Sequence, residues 1–164
     1  MLRDPALIPL SRQHQHALAL CVRIQRTLAS ASDGKSSAAD VAAFEQEVAS
    51  LFEVEVRYHF AAEEQVLFPA AARHSELRAL VDELIREHAA LREQVQAASE
   101  QQLDAAGLVE FAAQLSQHIR KEERRLFEEM QRLIPPNELR ELGTALDAWF
   151  AQSGMPGAAC ALPK

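Results

Sequence analysis

Two stretches of the chain share the pattern H-x3-E-E-x2-L-F: HFAAEEQVLF at residues 59–68 and HIRKEERRLF at residues 118–127. In each stretch a glutamate follows a histidine by four residues, which places both side chains on one face of an α-helix. A single His–Glu pair of this kind is a weak signal. Its repetition is stronger, and it predicts two long helices that present matching polar pairs to a shared centre, related by a pseudo-two-fold axis.

Five segments have the periodicity of amphipathic helices, with Ser11 as the N-cap of the first and Ser37 with Asp40 as a capping pair for the second. A loop is predicted at residues 30–37, and Pro69 should kink or end the second helix. The predicted segments are residues 11–31, residues 38–72, a segment that opens at residue 75, residues 104–133, and a short segment at residues 137–150. This pattern predicts an all-α antiparallel up-down-up-down four-helix bundle with a short C-terminal fifth helix, followed by a flexible tail at residues 151–164.

Polar residues occupy core positions of these helices where the periodicity requires leucine or valine. An ionised glutamate that faces a core is costly unless a cation compensates it. A histidine and a glutamate on one helix face can together chelate one metal ion. The predicted metal ligands are His14, His59, Glu63, His88, His118 and Glu122.

The spacing of the four histidines fits one level of an antiparallel bundle. Residues at the same height on two neighbouring antiparallel helices are equidistant from the turn that joins them, because each helix rises about 1.5 Å per residue. The midpoints between consecutive histidines fall within the predicted loop at 30–37, at the turn near residues 73–75, and just before Asp104, the predicted N-cap of the fourth segment. All three midpoints therefore coincide with turn signals.

Simpler interpretations exist for individual residues. A histidine on a helical stripe is often an ordinary core residue, and a doubled glutamate usually lies on a solvated face, which is the interpretation adopted for Glu64 and Glu123. His16 and His74 are predicted at the surface. The sequence leaves open whether His16 replaces His14 as the ligand from the first helix, and whether Glu64 or Glu123 takes part in the site.

Composition excludes several functional classes. The chain has 24 acidic and 17 basic residues and a formal charge of −7, so a nucleic-acid-binding or anionic-membrane-binding surface is not expected. No apolar run approaches the length of a membrane span. The two cysteines do not form a disulfide framework, and a cytoplasmic location is predicted.

Four motifs resemble the hemerythrin-like family, the histidine-histidine-glutamate (HHE) cation-binding domain. They are LSRQHQHAL at 10–18, YHFAAEEQVLFP at 58–69, REHAALR at 86–92 and QHIRKEERRLF at 117–127, and the resemblance covers about residues 7–133. It implies a four-helix bundle around a non-haem di-iron centre. The ligands that it implies are His14, His59, Glu63, His88, His118 and Glu122.

The chain departs from the oxygen-carrying members of this family at one place. Those proteins have a second histidine one turn from the ligand of the third helix, whereas the positions four residues from His88 are Leu84 and Arg92. Dedicated oxygen carriage is therefore not expected. The ligand set is more similar to the four-His, two-Glu version of the fold, which occurs in iron-centre repair and nitric-oxide-response proteins.

These observations predict a protein with two iron ions that bind a small ligand, either oxygen, nitric oxide or peroxide. If the protein is an enzyme, it reduces that ligand. Imidazole and carboxylate ligands are also compatible with manganese or zinc. One alternative is an iron or oxygen sensor, or an iron-handling module, without turnover, in which metal occupancy changes the docking of the fifth helix. A second alternative is a metal-free structural bundle. The apolar face of the fifth helix is predicted to cap the bundle, or else to bind a protein partner or a second copy of the chain.

Overall fold

A computed structural model describes residues 2–28 and 37–154 of the chain. The described residues form five helices and contain no strand, which confirms the all-helical class. We name the helices α1 to α5 in chain order. The predicted loop at 30–37 lies outside the described residues except for Ser37.

Helix α1 spans Ile8–Leu28 and follows a 3-10 turn at Pro5–Leu7. The Asp4 side chain accepts a hydrogen bond from the Ala6 N–H at 2.9 Å and so caps this turn. The predicted start at Ser11 was therefore wrong. The helical chain begins earlier because Asp4 and the following proline already supply a start signal.

Helix α2 spans residues 38–71 and has the predicted capping box, in which the Ser37 and Asp40 side chains each pair with the other's backbone N–H. It contains the α-helical segments Ala38–Leu51, Arg57–Ala62 and Phe68–Ala71, separated by π-helical segments at Phe52–Val56 and Glu63–Leu67. It ends two residues after Pro69, close to the predicted end.

Helix α3 spans Ser75–Ser99, and its start is as predicted. Helix α4 spans residues 105–133 and contains Ala105–Lys121, a π-helical segment at Glu122–Leu126, and Phe127–Leu133. Asp104 is its N-cap, as predicted, and accepts a hydrogen bond from the Gly107 N–H at 2.8 Å.

Helix α5 spans Pro136–Ser153 and ends at Gly154, whose φ of 73° is the left-handed conformation typical of a helix C-cap. The helix begins one residue before the predicted start at 137 and continues three residues past the predicted end at 150. The rest of the predicted tail, residues 155–164, lies outside the described residues. Leu139, Leu142 and Leu146 are buried in one core cluster together with residues of the other helices. Trp149 is only partly buried.

The core consists of two apolar clusters, and the predicted ligands separate them along every long helix. The first cluster includes Leu10, Leu84 and Leu126 together with the apolar face of α5. The second cluster includes Ile24 and Leu91. Helices α1 and α3 run from the first cluster to the second, and α2 and α4 run from the second to the first. The polar level therefore lies between two apolar layers that exclude water from both sides.

Glu45 is a buried polar residue that joins α2 to the turn before α4. It is 3% exposed, and its Oε1 atom accepts a hydrogen bond from the Leu103 N–H at 2.8 Å. The sequence pattern did not indicate this contact, because its two residues are far apart along the chain.

Replacing Glu45 by alanine should lower the free energy of unfolding by about 1 kcal/mol, because it removes the acceptor of the partly buried Leu103 N–H. Glu45→Gln keeps the acceptor and should cost less. Glu47→Ala, which removes only an exposed contact with Arg23, is the control. Urea unfolding measures all three variants, and equal stabilities for Glu45→Ala and Glu47→Ala would contradict the assigned role.

Candidate metal centre

The four predicted histidine ligands meet as two pairs in the buried middle of the molecule. The Nε2 atoms of His14 and His59 are 3.0 Å apart, and those of His88 and His118 are 3.1 Å apart. All four side chains are buried. Each pair joins two helices, α1 with α2 and α3 with α4.

Glu63 and Glu122 lie between the two pairs, and each contacts one histidine from both. Glu63 Oε1 is 3.2 Å from His59 Nε2, and its Oε2 is 3.4 Å from His88 Nε2. Glu122 Oε1 is 3.3 Å from His118 Nε2, and its Oε2 is 3.1 Å from His14 Nε2. The contacts lack hydrogen-bond geometry: within the described part of the chain, none of these four oxygens has a hydrogen-bond partner.

Two groups of four ligands result. One contains His14 and His59 and the other His88 and His118, and both contain Glu63 and Glu122. Within each group the candidate ligand atoms lie within 4.8 Å of one another. The structure therefore brings all six predicted residues together, in two overlapping groups that could each hold a metal ion.

The outer nitrogen of each imidazole, Nδ1, is held by a further side chain. His14 Nδ1 donates to Glu123 at 2.7 Å and His88 Nδ1 donates to Glu64 at 2.8 Å. Such a bond fixes the proton on Nδ1 and leaves Nε2 as the ligand atom, which is the usual arrangement around a protein-bound metal.

The second histidine of each pair is held in the same way. His118 Nδ1 donates to Glu87 at 2.9 Å, and His59 Nδ1 donates to the Gln13 side-chain oxygen at 2.7 Å. All four imidazoles are therefore oriented with Nε2 towards the centre.

The prediction that Glu64 and Glu123 lie on a solvated face was wrong. Their side chains are 30% and 24% exposed, and each binds a histidine of another helix. Glu63 and Glu64 approach Nε2 and Nδ1 of the same residue, His88. Their counterparts in α4 approach the two nitrogens of His14 in the same way.

The π-helical segments explain why two consecutive glutamates reach one imidazole. They begin at Glu63 and at Glu122, so the repeated E-E-x2-L motif coincides with a widened helical turn in both α2 and α4. Such turns are rare and occur mostly at functional sites. The only sequence signal for them was the repeat itself, since helical periodicity does not distinguish a π-helical turn from an α-helical one.

Aromatic rings cover the imidazoles. Phe60 stacks on His88 with ring centroids 3.7 Å apart, and Phe127 stacks on His14 at 5.8 Å. Both phenylalanines are almost fully buried. They shield the polar centre from water and strengthen the electrostatic interactions within it.

Neighbouring charges shift the pKa values of the buried histidines and glutamates in the centre. Burial opposes protonation of His14 and His118, but neighbouring carboxylates outweigh it and raise the pKa of His14 to about 9 and that of His118 to about 10. Burial also disfavours ionised Glu63 and Glu122, yet the adjacent histidines lower the pKa of both carboxyl groups. The two carboxylates are therefore ionised at neutral pH, and without a metal ion protonated histidines compensate their charge.

A small cavity adjoins the centre. Its volume is about 10 Å³, close to the smallest space that holds one water molecule. Its lining includes His14, His59 and His118 with the apolar side chains of Val56, Phe60 and Leu115.

The remaining two histidines lie outside the centre. The His16 side chain is 66% exposed and pairs with Glu55 at 3.0 Å, so the structure places His14, not His16, in the cluster. His74 is partly buried at the N-cap position of α3.

Comparison with known proteins agrees with this geometry. The family model described as the hemerythrin HHE cation binding domain matches residues 9–130. Searches of curated proteins and of solved structures gave no match. None of the described helices is long and apolar enough to cross a membrane. With a family match over most of its length and the histidine–glutamate cluster at its centre, the chain belongs to the hemerythrin HHE cation-binding domain family.

Proposed function

We propose that the chain binds two iron ions, one in each ligand group, and that the centre binds and reduces a small molecule: oxygen, nitric oxide or peroxide. The observation that carries the proposal is the pair of buried carboxylates, Glu63 and Glu122, which have no hydrogen-bond partner within the described residues. Carboxylates are almost never left in this state in a core unless they bind a cation.

The residues present fit two cations. His14 and His59 would hold one and His88 and His118 the other, with Glu63 and Glu122 shared. Six ligands from four helices exceed what one closed four-coordinate site uses. Bound iron would supply open coordination positions and a change of oxidation state to a small ligand.

The chain itself restricts what reaches the centre. The adjoining cavity of about 10 Å³ is the size of one water molecule, so it is far too small for an organic substrate. Phe60 and Phe127 exclude bulk water from the imidazoles.

The residues around His88 support reaction of a bound small ligand over reversible oxygen storage. One turn away on either side are Leu84, which is fully buried in the first core cluster, and Arg92, which binds Glu64 at 2.8 Å. Neither can supply the extra ligand of the oxygen carriers.

A sensor is the second candidate, because α5 touches the segment that carries Glu63. The Trp149 Nε1–H donates to Gln65 at 3.0 Å, and Gln65 lies within the Glu63–Leu67 segment. A metal-dependent adjustment of this segment would then reach α5. A partner or dimer contact through α5 stays a prediction.

For the fold, we propose that residues 7–133 form one metal-binding unit in which α1 to α4 are an antiparallel bundle. The alternating order of the two core clusters along these helices supports this arrangement. The pairing of His14 with His59 and of His88 with His118 also supports it.

Metal analysis of the purified chain, together with the visible spectrum of its oxidised form, tests the proposal. We expect about two irons per chain and an oxo-bridge charge-transfer band. Turnover of peroxide or nitric oxide by the iron-loaded protein would support the enzyme. Ligand binding without turnover, coupled to a change in association, would support the sensor.

Substitution of Glu63 by alanine should remove both metal ions, because this residue belongs to both ligand groups. His118→Ala, which removes a ligand of one group, should leave at most one. His16→Ala is the matched control, since His16 lies at the surface. Metal content is measured by elemental analysis after equal loading, and wild-type content in both Glu63→Ala and His118→Ala would refute the assignment.

Metal binding at pH 7 should release at least two protons per chain, because His14 and His118, with pKa values of about 9 and about 10, are protonated in the metal-free protein. Burial opposes protonation of His88 as well, but Glu63 and Glu64 outweigh it and raise the pKa of His88. The overall constant for binding two ions should therefore rise by at least roughly a hundredfold per pH unit below pH 8. Calorimetric titration with Zn²⁺ in two buffers of different ionisation enthalpy measures the release. A proton count near zero at pH 7 would contradict the prediction.

A further inference from the structure

The two halves of the centre differ in the groups that hold their imidazoles from outside. In α1 and in α3, the residue just before the histidine ligand holds a histidine of the neighbouring helix. Gln13 holds His59, and Glu87 holds His118. At equivalent positions, one half therefore has an amide and the other a carboxylate.

The remaining outer contacts are matched between the halves, so they do not cancel this difference. Glu123 on His14 is paired with Arg3, and Glu64 on His88 is paired with Arg92. Each is one carboxylate with one guanidinium.

The side chains around Glu87, on the outer side of His118, carry excess negative charge. Lys121 contacts both Glu87 and Glu83. Two carboxylates thus share one ammonium group there, whereas the group that holds His59 is an uncharged amide.

A carboxylate that accepts the Nδ1 proton makes the imidazole a stronger metal ligand than an amide acceptor does, and such outer contacts typically change metal affinity by about 10- to 100-fold. We propose that the two metal positions are inequivalent, and that the position at His88 and His118 binds a divalent cation first and about tenfold more tightly. Glu87 is the positioning residue that sets this order. The inference rests on the proposed two-metal centre.

Calorimetric titration with Zn²⁺ of the metal-free full chain tests the proposal. The shared carboxylates Glu63 and Glu122 also separate the two binding steps, so the response to substitution is decisive. Glu87→Gln should weaken the first step about tenfold and so narrow the difference in affinity between the two steps. Gln13→Glu should tighten the second step by a similar factor.

The double variant that exchanges Gln13 and Glu87 gives the sharpest test. Gln13→Glu combined with Glu87→Gln should restore two separated steps but reverse their order. Adding His59→Ala should then remove the tight step, whereas in the wild-type background His59→Ala should leave it. A purely structural role for Glu87 would not be rescued by a substitution on α1.

Glu83→Gln is the matched control, because Glu83 touches Lys121 but is not among the groups holding His118. It should shift the first step much less than Glu87→Gln. Thermal unfolding of each metal-free variant shows whether it is folded.

The outcomes separate this inference from the proposed function. Two Zn²⁺ steps that do not respond to Glu87→Gln would overturn the inference and leave the two-metal centre intact. Equal effects of Glu83→Gln and Glu87→Gln would also overturn it. Failure of the wild-type chain to bind two ions would overturn the proposed function and this inference together.

Discussion

Two carboxylates buried among imidazoles, without a hydrogen-bond donor from the described residues, are the constraint on which the rest of the structure depends. An unpaired buried charge costs several kcal/mol, more than most single contacts in a core contribute. Glu63 and Glu122 are therefore stable only with compensating positive charge. Protonated histidines supply it in the metal-free chain, and in the proposed metal-bound state the two ligand groups would hold cations that supply it.

The repeated motif acts through pairs of adjacent residues. Each E-E dipeptide begins a π-helical turn and engages both nitrogens of one histidine on another helix, the first glutamate at Nε2 and the second at Nδ1. One short stretch of sequence thus supplies a candidate ligand and also orients a second one. The two apolar clusters on either side, with stacked phenylalanine rings, keep water out and make the orientation of the imidazoles a property of the packed core.

The sequence predicted the features that depend on local periodicity and spacing. Periodicity predicted the apolar stripes on α1 to α4 and the caps at Ser37 and Asp104. Spacing predicted that the six polar residues would meet. The sequence did not predict the π-helical turns, or that Glu64 and Glu123 would bind histidines, because these depend on backbone geometry and on contacts between distant segments. The length of α5 was also missed. Its last residues have little apolar periodicity, and its end is marked by the C-cap glycine.

The proposed reaction of a small ligand is supported by the residues one turn from His88, Leu84 and Arg92, which cannot supply an extra ligand. The central claim is that two cations hold the six polar side chains inward. Anomalous diffraction at the iron edge from crystals of the iron-loaded chain tests it most directly. Two peaks, one between His14 and His59 and the other between His88 and His118, both beside Glu63 and Glu122, are the predicted result. Anomalous density only at surface carboxylates, with the buried cluster free of metal, would contradict it.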